Sequence, residues 1–341
     1  MNKIVKKVLG IGLSVALVGG MFTACTGSND SGDTKTEAKT WKVGVCQFVQ
    51  HEALDAATNG FKDELQKLAE ADGNKVEFEE QNAAGDTATC ATITNGFVAD
   101  NVDLIMANAT PALQAAAQST TTIPIVATSV TDFASALEID ADKWTGKSGI
   151  NVTGTADLAP LSEQAAMFKT LVPDAKTVGI VYCSAEANSV YQAKEIAKEL
   201  KKLGFKTKEF TAADTNDIAS VTQNACDNSD AIYIPTDNTM ASATGTIEPI
   251  VTKAKKVAIC GEEGICKGCG VATLSISYES IGRNAGKMAY EILKDGKNPA
   301  EMDIMIPTKD DVIFKYVASR AIDLGVTIPD GYEELALDEA K

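Results

Sequence analysis

Thr110-Pro111 and Asn188-Ser189 each stand where an apolar, strand-like run gives way to a helical pattern. Threonine is a good N-cap, and proline suits the first helical position. A helix start carries free backbone N–H groups and the positive end of the helix dipole, so each suits a ligand carboxylate. Asp237 ends another strand-like run. As an acceptor-only carboxylate it suits a ligand ammonium. Phe48 offers a ring on which an aromatic ligand could stack. Carboxylate binder, ammonium binder and aromatic platform together describe an amino-acid site. Each has a plainer alternative: Thr110, Asn188 and Asp237 as helix caps alone, Phe48 as a core ring.

These residues need elements to hold them. Trp41–Cys46, Val76–Glu79, Val102–Ala107 and Ile123–Ala127 read as strands, with helical periodicity from Leu54, around Cys90–Ala99 and from Thr110. The same order recurs: strands at Val178–Tyr182, Phe205–Phe210, Asp230–Ile234 and Val257–Cys260, with helices over Ser189–Leu203, 217–227 and from about Asn238. The stretch VGVCQFVQHEALDAATNGFKDELQKL (43–68) overlays VGIVYCSAEANSVYQAKEIAKELKKL (178–203) without a gap. Alternating βα units predict an α/β protein of two similar, doubly wound parallel-sheet lobes joined by a hinge. Ligands of such sheets bind at the carboxyl ends of the strands, and two lobes with facing strand ends enclose a cleft that can close.

The loops after those strands supply the candidate ligand contacts: Gln47, Phe48, His51, Thr110, Pro111, Ser129, Thr131, Asn188, Ser189, Asp237, Asn238 and Glu262. His51, beside Glu52, reads equally as cleft lining or a solvated helix start. Glu262, beside Glu263, reads equally as a ligand contact or an exposed loop charge.

The chain has 341 residues with 47 acidic against 31 basic side chains, a net charge of −16. Nucleic acid, which needs clustered Lys and Arg, is excluded as a partner. Lys3, Lys6 and Lys7 precede an apolar stretch from Val8 to Phe22, the layout of an export signal over residues 1–24. That stretch is short of the roughly 20 residues needed to span a bilayer. Phe22-Thr23-Ala24-Cys25 looks like a lipobox, with Cys25 lipidated as the mature N-terminus and residues 25–40 as a flexible tether. Such a protein is anchored by acyl chains to the outer face of the cytoplasmic membrane, or lies in the periplasm. Seven further cysteines cannot all pair within one chain. Cys46, Cys183 and Cys260 sit in apolar runs and are expected as buried thiols. A Cys266–Cys269 or Cys260-containing disulfide stays open. No metal site is expected, because the CxxC at Cys266–Cys269 lacks a nearby fourth ligand and the one histidine is distant.

The segments VGVCQFVQHEALDAATNGFKDEL (43–65), EEQNAAGDTAT (79–89), ATPALQAAA (109–117), IPIVATSVTD (123–132), NVTGTADL (151–158), AEANSVYQAKE (185–195) and DAIYIPTDNTMAS (230–242) resemble, in order, the signatures of the tryptophan/tyrosine-type substrate-binding proteins of ABC transporters. SYESIGRNAGKMAYEILKDGKNPAEM (277–302) and RAIDLGVTIPD (320–330) also match. The chain departs from them at Gln50 and Glu52 and around Gly261–Gly264. The resemblance implies a type I periplasmic-binding-protein fold, a small ligand such as an aromatic amino acid, and a membrane permease with its ATPase as partners. By analogy the chain crosses between lobes near Ala156, Thr273 and Asp303. One lobe is then 41–155 plus about 274–302, the other 156–273 plus about 303–332, with 333–341 an acidic tail. A monomer without cofactor is the default for such a receptor. An enzyme is not expected: His51 has no paired nucleophile, and neither HExxH nor a phosphate loop occurs. A ligand sensor on the same fold, without transport, is the alternative.

Overall fold

A computed structural model describes residues 38–337. The leader, Cys25, most of the tether and residues 338–341 of the acidic tail lie outside the described residues.

Strands β1 (Thr40–Gln47), β2 (Lys75–Asn82), β3 (Leu104–Asn108), β4 (Ile125–Val130) and β5 (Val152–Ala156) form one sheet in the order β2-β1-β3-β4-β5, with every pairing parallel. β3 and β4 are buried along their whole length, as parallel strands covered on both faces must be. Alternation along the strands sorts the side chains. Val43, Val45, Leu104 and Met106 meet Phe61 and Leu65 of α1 (Glu52–Ala71) on one face. Cys46, Ile105 and Ala107 meet α2 (Thr87–Ala99) and α3 (Thr110–Ser119) on the other. α4 (Phe133–Ala136) is a single turn after β4, capped by Asp132.

The second sheet holds β6 (Thr177–Cys183), β7 (Lys206–Ala212), β8 (Ala231–Ile234), β9 (Val257–Cys260), β10 (Ala272–Ile276), β11 (Val312–Tyr316) and β12 (Glu333–Glu334), in the order β12-β11-β10-β9-β8-β6-β7. The β10–β11 pairing alone is antiparallel, and β12 runs parallel to β11. Helices α5 (Leu161–Leu171) and α6 (Ala187–Lys202) cover one face, packing Phe168, Ile196 and Leu200 on Val178 and Ile180. α7 (Ile218–Asn228), α8 (Asn238–Ser242), α9 (Thr244–Lys253) and α10 (Glu263–Cys269) cover the other. α6 shows why such helices form. Its buried stripe is Ala193, Ile196, Ala197 and Leu200, Lys201 and Lys202 sit at the negative dipole end, and Gly204 at φ 88° follows.

Three passages join the sheets. The first runs from Ala156 to Leu161. The second falls after Ile276, since β10 stays in the second sheet; α11 (Tyr278–Asp295) then packs along α1. The third runs from Met305, which bridges to Thr155, to Val312 of β11. α12 (Ala318–Asp323) follows and sends Arg320 back to four carbonyls at the end of α10, those of Cys266, Lys267, Gly268 and Gly270.

Candidate ligand-binding cleft

In the first lobe three strand ends carry backbone in the left-handed half of conformational space without glycine: Ala84 (φ 53°) after β2, Ala109 (φ 89°) after β3 and Ser129 (φ 57°) within β4. β4 bulges between Ala127 and Val130, where its register to β5 shifts. Strain and bulges of this kind collect where a chain must aim side chains for function. Asn108 is fixed from below, its amide donating to Leu54 O (2.8 Å) and Thr58 Oγ1 (2.9 Å). Gln47 is used entirely within this lobe. It donates to Val49 O and Asp55, and accepts from Thr58.

In the second lobe Glu186 organises the strand ends. Its buried carboxylate accepts from Asn188 Nδ2 (3.1 Å), from Asn238 Nδ2 (2.6 Å) and N (3.2 Å), and from Thr239 N and Oγ1 (2.8 and 2.7 Å). Asp237 beside it caps α8 through Met240 N (2.8 Å) and accepts Cys183 N (2.6 Å). Burial and the neighbouring Glu186 charge push the Asp237 carboxyl up to about 8. Glu262 caps α10 through Gly264 N and Ile265 N, and burial pushes it up to about 7.

The lobes touch across the cleft at named points. His51 Nε2 lies 3.2 Å from Asn238 Oδ1. Because Asn238 Nδ2 already donates to Glu186, its Oδ1 accepts from His51 Nε2–H. Burial lowers the His51 pKa, so the ring is neutral at pH 7. Gln192 Nε2 of α6 donates to Thr131 Oγ1 (3.1 Å) of the first lobe. Glu52 pairs with Lys267, which also reaches Glu263. Helix α3 contacts α6 across the boundary. Two cavities open between the lobes. One, of about 410 Å³, is lined by Phe48, Val49 and Pro111 on one side and by Ala185, Glu186 and Thr239 on the other. The second, of about 470 Å³, is lined by His51, Glu52, Glu262 and Lys267.

The structure therefore groups the sequence candidates. Thr110, Ser129, Thr131, Asn188, Ser189, Asp237 and Asn238 are buried at the strand ends; Phe48 and Pro111 line the first cavity; His51 and Glu262 line the second. Among the described residues, Asn108 Oδ1, Thr110 Oγ1, Ser129 Oγ and Asn188 Oδ1 are buried at these strand ends without a hydrogen-bond partner in the protein. Each such atom costs about 1–3 kcal/mol; Thr153 Oγ1, Thr222 Oγ1, Ser229 Oγ and Thr273 Oγ1 are buried without a partner elsewhere. Three buried polar residues lie outside the strand-end loops that the sequence marks: Gln192 inside α6, Tyr278 at the start of α11 and Asp157 in the first passage. The seven described cysteines are buried free thiols, Cys266 and Cys269 included.

Two α/β lobes joined by three passages around a polar cleft at facing strand ends define a solute-binding protein of the type I periplasmic-binding architecture. The chain belongs to the ABC transporter substrate binding protein family, whose sequence profile matches residues 42–338. It is 32% identical to the tyrosine-binding protein of Clostridioides difficile (strain R20291) over 339 residues, covering 98% of this chain and 97% of that one. It superposes on the ABC domain from Streptococcus pneumonia in complex with L-Trp at a TM-score of 0.80 and 32% identity, covering 85% of this chain and 96% of that one. Against the ligand-free, open structure of a substrate binding protein with adhesive properties from Clostridium difficile, the TM-score is 0.65 at 32% identity, covering 87% and 100%. Substrate-binding proteins of this family work outside the cytoplasmic membrane. No described helix is long and apolar enough to cross one.

Proposed function

We propose that this chain is the receptor of an ABC importer for an α-amino acid with an aromatic side chain, which it captures in the cleft, encloses and delivers to a permease. The observation that carries this reading is the distribution of unpartnered polar atoms. The first lobe offers the hydroxyls of Thr110 and Ser129, beside the N-terminus of α3. The second offers Asn188 Oδ1 beside the carboxylates of Glu186 and Asp237. The hydroxyls and helix start of the first wall suit a carboxylate, the acceptors of the second wall suit an ammonium on the same carbon, and Asn108 Oδ1 adds one acceptor to the first wall. Phe48 and Pro111 line the adjoining cavity, where an aromatic side chain has an apolar surface.

The tyrosine-binding relative and the L-Trp complex support the ligand class. At equal identity the chain superposes better on the L-Trp complex than on the open, ligand-free protein, which supports a hinge with two positions. Cys25 then anchors a monomer to the membrane surface through its acyl chains. Isothermal calorimetry of the purified protein against L-tryptophan, L-tyrosine and L-phenylalanine tests the reading. At least one should bind, and Asn188→Ala should weaken it about tenfold or more. No heat from any of the three, with heat from another solute class, would reject it. Cys25→Ser should move the protein from the membrane fraction to the soluble one, and unchanged membrane association would reject the anchor.

A further inference from the structure

A second buried chain of polar groups runs from the cleft to the hinge. Gln192 grips the end of β8 with both amide atoms, Oε1 accepting Thr236 N (3.1 Å) and Nε2 donating to Thr236 O (3.0 Å). The same Nε2 approaches Asn188 O (3.4 Å) and donates across the lobe boundary to Thr131 Oγ1 (3.1 Å). Thr131 Oγ1 in turn donates to Asp157 Oδ1 (3.1 Å), and Tyr278 OH donates to Asp157 Oδ2 (2.9 Å). Gln192, Thr131, Asp157 and Tyr278 are all buried. Asp157 directly follows β5 in the first passage, and Tyr278 opens α11 at the end of the second.

We propose that Gln192, Thr131, Asp157 and Tyr278 form a closure latch. They are positioning residues that complete their hydrogen bonds only when the lobes meet, and that tie the ligand-site residue Asn188 to two of the three hinge passages. Three features support it. Of the bonds among these four residues only Gln192 to Thr131 spans the lobes, and it lies in the middle of the series, so opening breaks it there. On the hinge side the carboxylate of Asp157 accepts from two hydroxyls, so it holds Thr131 in the orientation that receives Gln192. On the ligand side Gln192 fixes the backbone on either side of the cleft wall, at Asn188 and Thr236. Opening leaves buried polar atoms to be rehydrated, which favours the closed form once a ligand has displaced the cleft water.

The proposal rests on the cleft as the ligand site, and its test separates the two. Thr131→Val removes the hydroxyl at constant shape, Thr131→Ser restores it, and Tyr278→Phe removes the far support. With L-tryptophan or L-tyrosine as probe, small-angle scattering should show wild type and Thr131→Ser contracting on binding. Thr131→Val should contract incompletely and release the probe about tenfold faster. Probe-free thermal stability should fall only by the lost Thr131–Asp157 bond, and the loss should be larger with probe bound, because the bond to Gln192 belongs to the closed form. Equal contraction and release in all variants, or a loss of stability equal with and without probe, would overturn the latch. If neither probe binds wild type, the amino-acid reading falls while the latch is still tested. Spin-label distances across the cleft of the probe-free protein should then contain a closed population that Thr131→Val lacks, and identical distributions would overturn it.

Discussion

Asp157 and Asp237 are buried carboxylates with different work, and their titrations separate them. Burial pushes Asp157 up to about 6, against the pull of the Tyr278 and Thr131 hydroxyls. The folded protein therefore binds that proton more tightly than the unfolded chain. The resulting stability is complete below about pH 4 and is lost as pH rises through about 6, a difference of about 3 kcal/mol. Asn at this position accepts from one hydroxyl, donates to the other and does not titrate. Urea unfolding of Asp157→Asn from pH 4 to 8 should lack this part of the fall, and curves parallel to wild type would refute the assignment. Asp237, raised to about 8, is largely protonated at pH 7 before a ligand arrives. An incoming ammonium beside it should expel that proton. Calorimetric binding enthalpy at pH 7 should then be more exothermic in an amine buffer than in phosphate, and equal values would remove Asp237 from the ammonium's surroundings.

At the scale of elements, α1 and α11 approach closely enough that backbone meets backbone. A Cβ on Gly282 would lie 2.1 Å from Ala57 O, and one on Gly60 would lie 2.4 Å from Glu279 O. Helix propensity favours Gly282→Ala by about 1 kcal/mol, while forcing two helix backbones apart costs about 1–3 kcal/mol. The clash is with main chain and cannot be relieved by a rotamer, so the variant should melt at lower temperature. A stabilised Gly282→Ala would mean that the helices sit further apart. This contact returns α11 to the first lobe although its sequence follows β10 of the second. The strained turn at Ala109 belongs to the same scale. It aims the start of α3 into the cleft, and nothing in an alanine announces it.

Over the whole molecule, closure sets charged surfaces against each other. Glu52 of the first lobe pairs with Lys267 of the second, Lys267 with Glu263, and Glu263 with Lys315. The Glu52 side chain is more than half exposed, so the link is worth at most about 1 kcal/mol and is screened by salt. Lys267→Glu should speed ligand release about twofold to fivefold at low ionic strength, and Glu52→Lys in the same chain should reverse most of that. Stopped-flow release rates indifferent to both changes would show that the pair does not hold the lobes together.

The two-lobed α/β plan is legible in the sequence, because alternating apolar strands and amphipathic helices report their own burial, and the duplicated pattern of 43–68 and 178–203 states it twice. The sequence also marks which loops could face a cleft, since parallel βα units turn the carboxyl ends of all their strands to one side. Local chemistry marked Thr110, Asn188 and Asp237 as helix starts or caps but could not say which atoms would be left unpartnered. Only the tertiary structure separated Gln47, whose hydrogen bonds close within its own lobe, from Asn188, whose buried Oδ1 has no partner in the protein. Only it paired β11 antiparallel on β10 and joined Gln192, Thr131, Asp157 and Tyr278. The reason is range. Periodicity and capping act over a few residues, whereas those four positions are as much as 121 residues apart between bonded partners, and meet only when both lobes and the hinge are folded.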